Sequence, residues 1–349
     1  MCACSTGAHD IRTVANSCSS LAAQVKEVAT FTNDNFLTLN PSKCEILCLS
    51  RGGSIVAQCC VNGNPIPVRQ EVKCLGYVWN GSLSADQMVE YNCNKARRAF
   101  FASGSIGGFQ GSLSPLSGKS LIETCVLPVV LYGCENWRLT TSSLARLDSL
   151  IGELCKRVLK LPKWYCNTPA RMALGWPSMR AMCLVRKLCL LLKLMDGDAK
   201  SANLLGAKTL EAFGEDKGST LLVRECVELE ESYGTVFVEN ICKVSDDCPS
   251  GRYMKETIYN LDRETLISDS KSRSDTVLLA RIEKKIDWCK LWDLCRDHGP
   301  KSVVGLRAFL RIIVHPAHAN KCCPKCDIDK LDASLLSHVI VDHSTCSLF

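Results

Sequence analysis

Hydrophobic spacing divides the chain into stretches of different period. From Ala22 to Asn35, apolar residues recur at Val25, Val28 and Phe31, with Phe36 following. That spacing predicts an amphipathic helix. Asn40-Pro41 is a turn signal, and the apolar alternation Ile46, Cys48 after it predicts a short strand. A second β-rich run follows at Val72–Val78, where Gly76 permits close approach of another backbone. Ser84, ahead of Ala85-Asp86-Gln87, is a fitting N-cap for the next helix. Gly104 to Gly118 reads as a flexible Gly/Ser loop, and Leu121 to Trp137 as a helix that Pro128 kinks or breaks. The best-patterned helix is Ser142–Leu161, with Leu144, Leu147, Ile151, Leu154 and Val158 at three- and four-residue steps and Pro162 as its stop. Arg186–Met195 predicts a buried helix ending at Gly197. Helical pieces are expected at Leu210–Phe213 and Leu221–Tyr233, a break at Cys248–Gly251, and a strong helix at Asp275–His298.

With 349 residues and 46% hydrophobic content, the chain has material for two or three domains with real cores. No apolar run is long enough to span a bilayer, and Met1–Ser19 lacks the basic start and apolar middle of a secretory signal. The 24 cysteines therefore point to a reducing, intracellular compartment, nuclear or cytoplasmic, and not to secretion. Many of them, such as Cys44, Cys48, Cys125 and Cys189, stand where a small apolar residue would serve. The net charge of +6 is unevenly spread. Arg138–Lys187 holds ten Lys/Arg against Asp148 and Glu153, whereas Glu211–Asp269 holds fourteen acidic residues against six basic. A polyanion would bind the first stretch and be repelled by the second. Gly118-Lys119-Ser120 lacks the first glycine of a phosphate loop, because Leu113 stands there. No small-molecule substrate is evident.

Phe36-Leu-Thr-Leu-Asn-Pro-Ser-Lys43, followed by Val72-Lys-Cys-Leu75-Gly76-Tyr77, resembles the end of the palm in reverse transcriptases of non-LTR (LINE-type) retrotransposons. The resemblance implies that Lys43 approaches the incoming nucleotide and that Leu75-Gly76-Tyr77 grips the primer strand. The family carries Phe/Tyr-Ala-Asp-Asp on a hairpin upstream, followed by an amphipathic helix. The matching place here reads Gly7-Ala8-His9-Asp10. Leu127-Pro-Val-Val-Leu-Tyr-Gly-Cys-Glu-Asn-Trp137 also resembles the family's region after the palm, and Asn167–Pro177, ending Leu174-Gly-Trp-Pro177, resembles its recurring connection between helices. Two-metal nucleotidyl transfer needs several carboxylates around divalent cations. Of the family's pair only Asp10 stands, and His9 offers imidazole where magnesium prefers oxygen. The early-palm carboxylate and the fingers are expected to be absent as well. Mg is thus implied by the family, with its site incomplete and Asp10 vestigial.

The helix ending at Leu161 carries Lys156, Arg157 and Lys160 in its last turns, next to Lys163-Trp164-Tyr165. Lys95, Arg97 and Arg98, followed by Phe100-Phe101, form a second basic group. For a single lysine, a solvated helix face suffices as explanation. Bases joined to aromatics favour RNA or DNA. At the other end, Cys323-Pro-Lys-Cys326 is followed by His338 and His343 at a spacing that can close a tetrahedron around structural zinc. Accidental pairs in a Cys-rich chain are the competing explanation. The resemblance adds weight, because the family commonly ends in such a knuckle with cysteine where His343 stands. Cys346 is a reserve ligand and Cys322 a weaker one.

The expected architecture is α-rich α+β. It comprises a small β-containing palm remnant with a primer-grip-like hairpin (1–80), a basic helical thumb-like region (81–197), an acidic connector (198–270), a helical segment (271–320) and a zinc knuckle (321–349). The expected function is binding of RNA or DNA, without a membrane, by a truncated protein with an incomplete polymerase centre. Two alternatives remain: a fragment of an active RNA-directed DNA polymerase, and a non-functional relic or zinc-bearing helical interaction protein.

Overall fold

Short β elements come first and helices follow. The structure, a computed structural model, describes residues 5–7, 10–49, 59–61, 63–103, 115–196, 221–242, 249–272 and 310. It divides into two units, Met1–Met88 and Val89–Phe349. In the first, β1 (Ser5–Gly7) pairs antiparallel with β2 (Asp10–Arg12), placing Gly7 opposite Asp10. The helix α1 (Cys18–Asp34) begins at Ser17, whose hydroxyl accepts from Ser20 N at 3.1 Å. Leu21 and Val25 of α1 pack against a small core of Ile46, Cys59, Val61 and Ile66. The predicted apolar face of this helix needs correction. Gln24 and Thr32 are buried, whereas Phe31 is exposed and Phe36 lies beyond the last helical residue in left-handed backbone.

The β portion consists of short pairs. β3 (Ile46–Leu47) runs parallel to β6 (Val68–Arg69), and β4 (Cys60–Val61) pairs antiparallel with β5 (Asn64–Pro65). β7 (Glu71–Cys74) pairs antiparallel with β8 (Tyr77–Asn80). Asn80 then organises the turn into the next helix. Its amide donates to Ser84 O (3.1 Å) and Gln87 Oε1 (2.7 Å), while its carbonyl oxygen accepts from Ser84 N (2.9 Å). Ser84 Oγ accepts from Asp86 N, the first residue of α2 (Asp86–Ser103), as an N-cap should.

The second unit is helical. α3 (Pro115–Leu121) takes in the end of the expected Gly/Ser loop, so Pro115–Gly118 is helix and not loop. A wider π-type turn, Ile122–Val126, joins it to α4 (Leu127–Val130). Pro128 explains the widening, since it has no N–H for Thr124 O and its ring crowds the turn before it. The backbone shifts so that Leu127 N reaches Ile122 O instead.

α5 (Thr141–Val158) buries Leu144, Leu147, Ile151, Leu154 and Val158, the residues its periodicity marks. α6 (Asn167–Ala173) packs directly on it. A Cβ at Gly152 would lie 2.3 Å from the Asn167 side chain, which explains glycine in mid-helix there. α7 (Met179–Asp196) starts seven residues before the expected Arg186, because Ser178 Oγ caps Ala181 N at 3.2 Å. α8 (Leu221–Glu231), α9 (Phe237–Cys242) and α10 (Gly251–Ser272) pack on α7 around Leu184, Leu188, Leu191, Val223, Val238 and Ile258. The described helices of the expected connector thus share a core with α7. Among the described residues the molecule is helix-rich with a few two-stranded pairs, and no helix is long and apolar enough to cross a membrane. Leu210–Phe213, Asp275–His298 and the 321–349 segment lie outside the described residues.

Candidate nucleic-acid interface

Two ion pairs bind α2 to α5. Glu90 of α2 accepts from Arg146 Nη1 of α5 at 3.1 Å, and Arg97 Nε lies 3.6 Å from Glu153 Oε2. Each helix advances seven residues between the pairs, about 10.5 Å of rise, so the helices run parallel. The signs alternate, acid then base on α2 and base then acid on α5. Exposed pairs of this kind set register more than stability. On the opposite side of α2, Asn92, fully buried, donates to Val130 O (3.2 Å) and Tyr132 O (3.1 Å) at the end of α4.

At the C-terminal ends of these two helices the expected bases come together with aromatic surface. Arg157 donates to Glu153 Oε1 from Nε and Nη2, at 3.1 and 3.0 Å, and its guanidinium lies 5.0 Å from the centre of the Phe101 ring. Phe101 is half exposed, edge-on to buried Phe100 at 5.7 Å. Arg98 and Lys95 are exposed on α2, with Lys95 Nζ 5.3 Å from the Tyr91 ring. Lys160 and Lys163 are exposed just beyond α5, and Trp164 beside them is 68% exposed. Lys156 differs from the rest. Its ammonium donates to Lys163 O (2.9 Å) and Tyr165 O (3.1 Å), so it holds the loop instead of facing solvent as a binding cation. Tyr165 is buried and donates to Leu310 O at 2.7 Å, leaving Trp164 outside between two fixed neighbours.

The positive charge counted over Arg138–Lys187 is therefore only partly surface charge. Arg171, buried in α6, pairs with Asp148. Lys187, 1% exposed, donates to Glu135 O (3.1 Å) and Trp137 O (2.7 Å). Its place was visible in the spacing, since Leu184, Lys187 and Leu191 fall on one helical face. The acidic stretch is depleted in the same way. Glu225 accepts from Leu139 N at 3.2 Å, and Asp262 accepts from Ser178 N (2.7 Å), Ser178 Oγ and Tyr233 Oη (2.9 Å). Burial pushes the Glu225 carboxyl and the Tyr233 phenol up from their usual ranges.

The remaining expected site residues lie in the first unit or outside the described part. Asp10 opposes Gly7 in β2. Lys43 is exposed at the end of a 3-10 turn, Pro41–Lys43, that Asn40 caps through Ser42 N (3.0 Å). Leu75 and Gly76 form the tight turn between β7 and β8 at φ 50° and 77°, and Cys74 faces Tyr77 as the closing pair. Positive φ at both turn residues matches the twist of a two-residue hairpin. The Tyr77 and Trp79 rings lie on one face with centres 4.6 Å apart, tilted at 44° to each other. Cys323, Cys326, His338, His343 and the reserves Cys322 and Cys346 lie outside the described residues. Among the described residues no group of three or more His, Cys, Asp or Glu is placed to hold a metal. Compared with family models, curated proteins and solved structures, the chain matches none.

Proposed function

We propose that the chain is a nucleic-acid-binding part of a non-LTR retrotransposon reverse-transcriptase-like protein with an incomplete polymerase centre. The observation that carries the binding half of this reading is the convergence of Arg97, Arg98, Phe101, Arg157, Lys160, Lys163 and Trp164 at the ends of α2 and α5. Cations that neutralise phosphates beside rings that stack on bases are the combination single-strand binders use. The hairpin β1–β2 followed by α1, and the two-residue turn at Leu75–Gly76, are the local shapes that the resemblance asks of these stretches.

The donor set at Ala8-His9-Asp10 does not fit a magnesium pair, because one carboxylate and one imidazole cannot bridge two hard cations. No polymerisation step is assigned to this chain. Cys323, Cys326, His338 and His343 supply the two thiolates and two imidazoles of a closed structural zinc site. Filter binding of RNA and DNA across a salt series tests the reading. Affinity that falls as salt rises supports it, and affinity independent of salt sinks it. Primer extension in the presence of magnesium would overturn the incomplete centre.

A further inference from the structure

Between the end of α8 and the start of α10 the second unit carries a cleft of about 490 Å³, a size that suits a small ring system. Gly234 shapes one side. At φ 64° it closes α8, with its own N–H on Glu231 O (3.2 Å) and the Thr235 N–H on Glu230 O (3.4 Å). A Cβ there would meet nothing within 4 Å, so the turn leaves open space beside it. Ser250 shapes the other side by capping α10, its hydroxyl accepting from Tyr253 N at 3.2 Å. Tyr253 and Thr257 are one turn apart on α10, as Val236 and Asn240 are at the start of α9. Each helix thus lines the cleft with one apolar or aromatic side chain and one polar one.

Three properties of this lining narrow what it can hold. One wall is aromatic: Tyr253 stands edge-on to buried Phe237, ring centres 6.2 Å apart at 87°, yet remains 58% exposed. The Asn240 amide and the Thr257 hydroxyl have no hydrogen-bond partner among the described residues. No charged side chain among the described residues lines the cleft. An apolar occupant would strip water from the amide and the hydroxyl without replacing its hydrogen bonds. A phosphate or carboxylate would find no cation. An uncharged flat ring with donors and acceptors along its edge satisfies both walls.

We infer that this cleft binds a nucleobase, adenine before the others, with the ring stacked on Tyr253 and its edge on the Asn240 amide. Adenine places an amino donor beside a ring-nitrogen acceptor, and an asparagine amide meets that pair with two hydrogen bonds. The choice of a base among flat heterocycles rests on the nucleic-acid reading above. The cleft shares no residue with the basic strip, so the two are tested separately.

Equilibrium dialysis of the full chain with adenosine, adenosine monophosphate and the other three ribonucleosides tests the cleft. Adenosine affinity is expected to be the same at low and moderate salt, with the monophosphate bound no tighter. Tyr253→Ala is expected to weaken adenosine about tenfold or more. Tyr253→Phe is expected to keep most of the affinity, which separates loss of stacking from loss of packing on Phe237. Asn240→Leu, at an exposed position, is expected to remove the preference for adenosine. Single-stranded oligoadenylate and oligocytidylate of one length then separate the sources of the ring. Tyr253→Ala weakening oligoadenylate alone identifies a base within a strand, whereas a loss on adenosine with neither oligonucleotide affected identifies a free adenine compound. Polynucleotide binding without adenosine binding, or adenosine binding that neither Tyr253→Ala nor Asn240→Leu changes, overturns the cleft while the broader reading stands. A monophosphate bound much more tightly than adenosine overturns the uncharged site. Adenosine binding by a chain that binds no polynucleotide at any salt overturns the broader reading and leaves the cleft.

Discussion

At Glu230, which is 5% exposed, the carboxylate accepts from Val238 N at 3.2 Å and so closes the start of α9. Those donors favour the ionised form, but burial outweighs them and pushes the carboxyl from 4.5 up to about 7. A carboxyl harder to ionise when folded contributes its stability below the unfolded value. That stability is lost as pH rises from 4.5 through about 7. Glu230→Gln keeps an acceptor without the charge. The wild type is therefore expected to lose about 3 kcal/mol relative to this variant between pH 4 and 9, read from urea unfolding at each pH. Parallel profiles for the two proteins would rule this out. Lys187 calls for the opposite test, since its ammonium is the donor for two buried carbonyls. Lys187→Met fills the space but leaves Glu135 O and Trp137 O without it, and about 2–4 kcal/mol of stability should go. Neither role is legible in a tally of charge, although the spacing of Leu184, Lys187 and Leu191 puts Lys187 on an apolar face. Lys187 counts there as surface charge and Glu230 as part of an acidic run, because a linear tally of charge contains no information on burial.

Elements were easier to anticipate where one physical signal dominated. Five apolar residues of α5 at three- and four-residue steps are all buried, and Pro128 disturbs its helix as a residue without an N–H must. α1 was misjudged because Phe31 and Phe36 are apolar yet exposed, while Gln24 and Thr32 occupy the buried face. Thr32 pays no penalty there, since its hydroxyl donates to Val28 O and Ala29 O at 3.0 and 2.9 Å. The contact of α5 with α6 was invisible beforehand, because a glycine in mid-helix reads as a weakness until its neighbour is known. Gly152→Ala ordinarily favours a helix by about 1 kcal/mol. Here the new methyl would meet Asn167 at 2.3–2.4 Å, so a net loss of about 1–3 kcal/mol is expected in thermal unfolding. A gain in stability would show that α6 can shift aside.

For the whole molecule, the relevant electrostatic quantity is neither the net charge of +6 nor the excess of Lys/Arg over Arg138–Lys187. Arg171 and Lys187 are internal, Lys156 is committed to the loop, and Glu153 offsets part of Arg97 and Arg157. What remains at the ends of α2 and α5 is Lys95, Arg97, Arg98, Arg157, Lys160 and Lys163, less that one carboxylate. Counterion release gives about 0.7 per neutralised phosphate on a single strand, so log K against log salt should fall with a slope of about −3 to −4. Had all ten bases of the sequence tally faced the ligand, the slope would approach about −7. Titrations of a single-stranded oligonucleotide from low to moderate salt separate these values. A slope near the steeper figure would mean that cations outside this strip carry the binding, and a slope near zero that the contact is not electrostatic. Glu153→Gln sharpens the test. Freeing Arg97 and Arg157 from their shared carboxylate should steepen the slope by about 0.7 and tighten binding at low salt. A variant that bound no tighter would place the polyanion elsewhere on the chain.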